Sequence, residues 1–162
     1  MKLLIDENKT IVFFNKTIDF TDMKNTEKFL KTIINKLQIN YNLKFKGYYD
    51  VTIYLDNIYG FVVCIESEDL DYLDYFDNQI EMNIKVIENT FLYKLEELLD
   101  KKLLKKFTIY KNKENLYLKP KENISNIEMG IVIENSKIIY KDTLKIINTS
   151  ELVKGWLVWK NQ

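Results

Sequence analysis

Apolar and polar residues alternate with a period of two along much of the chain, most clearly at Tyr49–Leu55 and Tyr59–Glu66. Successive side chains of a strand point to opposite sides, so Val51, Ile53 and Leu55 share one face and Asp50, Thr52 and Tyr54 the other. Phe61, Val63 and Ile65 alternate in the same way with Gly60, Val62 and Cys64. The two runs predict a hairpin. A two-residue Asp56-Asn57 turn suits the dipeptide chemistry, but it sets Val51 and Ile53 opposite Val62 and Gly60. A loop of three or five residues instead aligns Val51, Ile53 and Leu55 with Phe61, Val63 and Ile65. A one-residue slip carries a whole apolar set to the other face, so the odd loop is favoured, with Gly60 ending the turn.

Similar patterns predict the remaining elements. Lys2–Ile5 and Thr10–Phe14 read as a short hairpin. Phe29, Leu30, Ile33, Ile34 and Leu37 recur at helical spacing, with Asn25 or Thr26 as cap and an end near Ile39–Asn42. Asp69–Asn78 fits a helical turn or a loop. Ile80, Met82, Ile84 and Val86 alternate as a third strand, and Glu88–Thr90 signals a turn. Phe91–Leu95 suits a strand, yet Leu95, Leu98, Leu99, Leu103 and Leu104 fit a second helix better. Phe107–Tyr110 and Leu116–Leu118 predict a hairpin across Asn112–Asn115, closed by Pro120. Asn123–Glu134 reads either as a strand or as a helix capped by Asn126. Lys137–Tyr140, Leu144–Asn148 and Trp156–Trp159 read as short closing strands. The expectation is an α+β fold, a mainly antiparallel sheet with about two helices. It forms a single domain over residues 1–162, with an internal seam near 90–100 between two subdomains of similar size. In layout alone the order of elements resembles bacterial adaptor proteins with two α+β lobes, and layout does not establish function.

Composition narrows the chemistry more than the fold. At 162 residues the chain is long enough to bury a core without staples. It contains no 18-residue apolar run, so no membrane span is expected. Its start meets Asp6 and Glu7 too early for a signal peptide. Cys64 is the only cysteine, which excludes an intramolecular disulfide and makes the cytoplasm the default location. There is no His, Arg or Ala, while Asn, Lys, Ile and Tyr are abundant, as expected of an AT-rich bacterial or viral genome. Without His there is no Ser-His or Cys-His pair and no imidazole ligand. Without Arg there is no arginine finger and no bidentate guanidinium contact to guanine or phosphate. No cofactor is implied, and the missing groups argue against an enzyme.

Net charge is zero, but charge is segregated. Residues 1–49 carry nine lysines and five acids, a net +4. Residues 50–100 carry two lysines and thirteen acids, a net −11, and residues 101–162 thirteen lysines and six acids, a net +7. The acids concentrate in Glu66–Glu81, interleaved with aromatic residues. Asp69, Asp71, Tyr72, Asp74, Tyr75 and Asp77 are the candidate partner-binding residues. Aromatic side chains supply interface energy, while carboxylates supply complementarity and association rate. The partner expected is another protein with a basic surface, and the role that of a regulator, adaptor or inhibitor. The plain structural alternative is a solvated face whose Leu70, Leu73 and Phe76 turn to the core. Another alternative is a metal-dependent enzyme built on the clustered carboxylates, although the calcium-loop pattern of fixed ligands and a glycine is missing. A further one is weak nucleic-acid binding through Lys101–Lys121, whose eight lysines alternate with Phe107, Tyr110 and Tyr117, rings able to stack on bases. Zero net charge and the absence of Arg weigh against it. The tyrosines around the first hairpin (Tyr48, Tyr49, Tyr54, Tyr59) and Cys64 read mainly as core, as does one of Trp156 and Trp159.

Overall fold

The computed structural model describes residues 2–6, 9–16, 18–43, 45, 47–56, 60–67, 80–121 and 124–154. The fold is α+β, with four helices and two five-stranded sheets among those residues. The chain divides into two compact units, Met1–Tyr54 with Gly60–Ile87, and Leu55–Tyr59 with Glu88–Gln162. No described helix is long and apolar enough to cross a membrane.

The first unit holds β1 (Lys2–Asp6), β2 (Lys9–Phe14), α1 (Met23–Tyr41), β3 (Gly47–Asp56), β4 (Phe61–Ser67) and β5 (Ile80–Asn89), the last two residues of β3 and of β5 counting with the second unit. Its sheet runs β1-β2-β4-β3-β5. β1 and β2 form the expected antiparallel hairpin, and β2 pairs with β4 with Val12 opposite Val63. β3 alternates as predicted: Tyr49, Val51 and Ile53 are buried, and Asp50, Thr52 and Tyr54 are half-buried. β4 does not alternate. Phe61 through Ile65 are all buried, because a central strand covered on both faces needs a continuous apolar run. The loop length that sets the β3–β4 register involves residues 57–59, outside the described residues.

α1 buries Leu30, Ile33, Ile34 and Leu37, the face its spacing predicts. Its cap differs from the expected Asn25 or Thr26. Asp22, in extended backbone, accepts a hydrogen bond from the Lys24 amide at 3.0 Å, and the helix starts one residue later. Thr26 lies a turn further in, buried, with its hydroxyl donating to the Asp22 carbonyl at 2.9 Å. Asn42, at φ 55°, ends the helix in the left-handed region. The Phe61 ring contacts Phe14 at 4.9 Å, Phe20 at 5.0 Å and Phe29 at 5.9 Å.

The second unit holds β6 (Leu92–Leu95), α2 (Lys101–Leu104), β7 (Phe107–Asn112), β8 (Asn115–Pro120), α3 (Asn126–Glu134), β9 (Ser136–Ile139), α4 (Thr143–Thr149) and β10 (Glu151–Val153). Its strands are ordered β10-β7-β8-β6-β9, each pair antiparallel. Two expectations fail here. The helix predicted through Leu95–Leu104 shrinks to the single turn α2. Leu92–Leu95 pairs with both β8 and β9, and the amides of Glu96 and Glu97 then donate to the Asn135 carbonyl instead of starting a helix. Leu99, Leu103 and Leu104 still reach the core. Leu144–Asn148, predicted as a strand, lies within α4. The Asn89 side chain explains how that helix is held: its amide donates to the Tyr140 carbonyl at 2.6 Å, and its oxygen accepts from the Thr143 hydroxyl at 3.1 Å. The helix count is therefore four among the described residues, where about two were expected.

The ambiguous stretch at Asn123–Glu134 resolves as a helix with Ser125, not Asn126, as cap. The Ser125 hydroxyl accepts from the Glu128 amide at 3.2 Å, while the Ser125 amide donates to the Glu128 carboxylate at 3.1 Å, a complete capping box. Lys106 closes on the same carboxylate at 2.7 Å. The Lys106 ammonium and the Ser125 amide together hold the Glu128 carboxyl down at about 2. A depressed carboxyl stabilises the fold above its unfolded value near 4.5 and loses that contribution as pH falls toward 2. Ser125→Ala is expected to cost about 1 kcal/mol. Glu128→Gln is expected to lower the urea midpoint at neutral pH and to match the wild type near pH 2, as read from urea melts across that range.

Candidate functional site

All six candidate residues, Asp69, Asp71, Tyr72, Asp74, Tyr75 and Asp77, lie outside the described residues. Their anchoring strands do not. The chain leaves the sheet at Ser67, the end of β4, and re-enters at Ile80, the start of β5, with β3 between the two strands. Asn83 donates to the Asp50 carboxylate at 3.3 Å, and the Phe91 amide donates to Asp56 at 3.0 Å. These bonds match start with start and end with end, so β5 runs in the same direction as β3. Glu66, one residue before the end of β4, stands opposite Lys9. β5 is an edge strand, and it exposes Val86 and Ile87.

Charge differs in sign between the two units. The first unit holds ten lysines and thirteen acids, a net −3, and the second fourteen lysines and eleven acids, a net +3. Residues 66–81 alone supply seven of the first unit's acids and no lysine, so the rest of that unit is net +4. One connection between two strands makes an otherwise basic unit acidic.

The lysine stretch Lys101–Lys121 is described throughout. Phe107 is 3% exposed and belongs to the core. Tyr110 and Tyr117 are half-buried direct partners across β7 and β8, and Lys94 and Lys137 continue their row over β6 and β9. Lys106 is neutralised by Glu128. Of the hairpin tyrosines, Tyr49 is buried against Phe45 at 5.6 Å, Tyr48 and Tyr54 are half-buried, and Tyr59 lies outside the described residues. Cys64 is buried, as expected. Trp156 and Trp159 lie outside the described residues.

Among the described residues no group of three or more Cys, Asp or Glu is placed to hold a metal ion, and Asp71, Asp74 and Asp77, which carried that reading, are not among them. One feature had no signal in the sequence. An open cavity of about 290 Å³ is lined by Leu104, Phe107 and Ile109 together with Lys105, Lys121 and Lys154, three lysines far apart in the chain. No protein-family model matches the chain, and neither does a curated protein or a solved structure.

Proposed function

We propose that the protein is a non-catalytic, cytoplasmic binding protein, a regulator, adaptor or inhibitor, whose acidic-aromatic segment at residues 66–81 docks on a basic surface of a partner protein. The observation that carries this reading is the charge reversal of the first unit by that one connection. Solvation alone does not call for seven carboxylates interleaved with Tyr72, Tyr75 and Phe76 and no lysine among them. Carboxylates steer a basic partner into contact, and tyrosine and phenylalanine supply the buried area that holds it. Val86 and Ile87 are also exposed on the edge strand β5, which follows the segment in the chain.

The test is affinity capture of the tagged protein from its host with two baits, the wild type and a form carrying Asp71→Asn, Asp74→Asn and Asp77→Asn. A protein retained by the wild type and lost from the substituted bait is the expected result. Equal retention on both baits moves the site away from the segment. No retained protein on either bait contradicts the reading.

A further inference from the structure

We propose that β5 pairs antiparallel with β5 of a second copy of this chain, in the register centred on Asn83. The four outer strands of the two sheets differ in length. β1 has five residues, β9 four and β10 three, while β5 has ten and neither Gly nor Pro. Short edges offer too few unpaired amides and carbonyls to recruit another chain, whereas a long, uninterrupted one is a template for it. β3 takes one edge of β5, and among the described residues no strand takes the other. Glu81, Asn83, Lys85, Val86, Ile87 and Glu88 are exposed, so these side chains are open to solvent.

Charge selects both the occupant and the register. Residues opposite each other across an antiparallel pair stand on the same face, so two copies of one strand meet in registers centred on a residue. Centred on Asn83, Glu81 of each copy stands opposite Lys85 of the other, twice by symmetry, and Met82 stands opposite Ile84. Centred on Ile84, Glu81 meets Ile87. Centred on Lys85, that ammonium meets its own image and Met82 meets Glu88. Centred on Val86, Ile84 meets Glu88. Opposite charges directly across a pair stabilise it, and like charges destabilise it. Among the described residues neither Glu81 nor Lys85 has an ion-pair partner within the chain. Lys85 is the kind of charge that keeps an edge from indiscriminate pairing, and the copy that brings Glu81 to it removes the obstacle. Asn83, at the axis, donates to Asp50 of its own copy at 3.3 Å and carries no charge to repel its image. The strands overlap from Ile80 to Val86 and join the two sheets edge to edge. The pairing uses none of Asp71, Asp74 and Asp77, so it does not depend on what those residues bind.

Sedimentation velocity of the full chain from about 10 µM to about 1 mM tests the proposal. The wild type is expected to shift reversibly from monomer toward dimer across that range. Glu81→Lys and Lys85→Glu each set like charges against one another and are expected to weaken association about tenfold. An equimolar mixture of the two forms restores both ion pairs and is expected to associate within about twofold of the wild type. Asn83→Cys puts two thiols at the axis, within disulfide reach, and is expected to cross-link on mild oxidation. Ile87→Cys, at positions about 26 Å apart along the paired strands, is expected not to. A wild type still monomeric at about 1 mM overturns the proposal and leaves the edge to a strand of another protein. So does a mixture that associates no better than its two components, or cross-linking through Ile87→Cys as readily as through Asn83→Cys.

Discussion

Phe61→Ala is expected to lower unfolding free energy by about 3–5 kcal/mol, the largest effect of any single substitution considered. Phe61 is fully buried at the start of β4, stacked on Phe14 and edge-on to Phe20 and Phe29. Truncation removes the ring at which β2, β4, α1 and the segment leading into α1 meet. Three aromatic rings cannot collapse into the space without leaving their own contacts, so most of the cavity persists. Urea unfolding measures the loss. Where the two units unfold in separate steps, it falls in the transition that melts α1, followed by far-ultraviolet circular dichroism. A loss below about 1 kcal/mol contradicts this packing.

Gly60→Ala is expected to cost about 3 kcal/mol, through two effects that act together. Gly60 holds φ 92°, a backbone region that an L side chain enters only with strain. A Cβ there lies 3.0 Å from both the Phe13 ring and the Phe14 carbonyl oxygen. The ring is packed at 3% exposure, and the carbonyl belongs to the β2 backbone, so neither yields easily. Gly130 supplies the opposite case. It sits inside α3 with nothing within 4 Å of an added Cβ, so Gly130→Ala is expected to stabilise by about 0.5–1 kcal/mol. The two melts measured side by side separate backbone strain from a general intolerance of substitution.

Strands whose pattern is set by one covered face were readable from the residues. β3 and the β7–β8 hairpin keep their alternation or their turn chemistry, and α1 keeps its stripe, because each is decided locally by which side meets the core. The misreadings share one cause. Of the two readings of Phe91–Leu95 the strand holds and the helix read on from Leu95 does not, because β8 and β9 hold the backbone of Leu92–Leu95 and leucine spacing carries no record of them. Leu144–Asn148 suggested a strand, but Asn89, more than fifty residues away, holds Thr143 at the start of a helix. Ser125 outcompeted Asn126 as cap because only Ser125 has Glu128 three residues on, which completes the reciprocal pair of bonds. The acidic segment was visible in composition. The lysine-rimmed cavity was not, since residues 105, 121 and 154 meet only after the hairpin and β10 have paired.

The central claim is that the carboxylates of residues 66–81 steer a basic partner. The most direct test is the association rate of the captured partner, measured between about 50 and 200 mM salt for the wild type and for the form with Asp71, Asp74 and Asp77 changed to Asn. The account predicts that the wild-type rate falls about tenfold across that range, and that the substituted form associates slowly at low salt with a much flatter dependence. A rate that ignores salt, or one that falls equally in both forms, contradicts it.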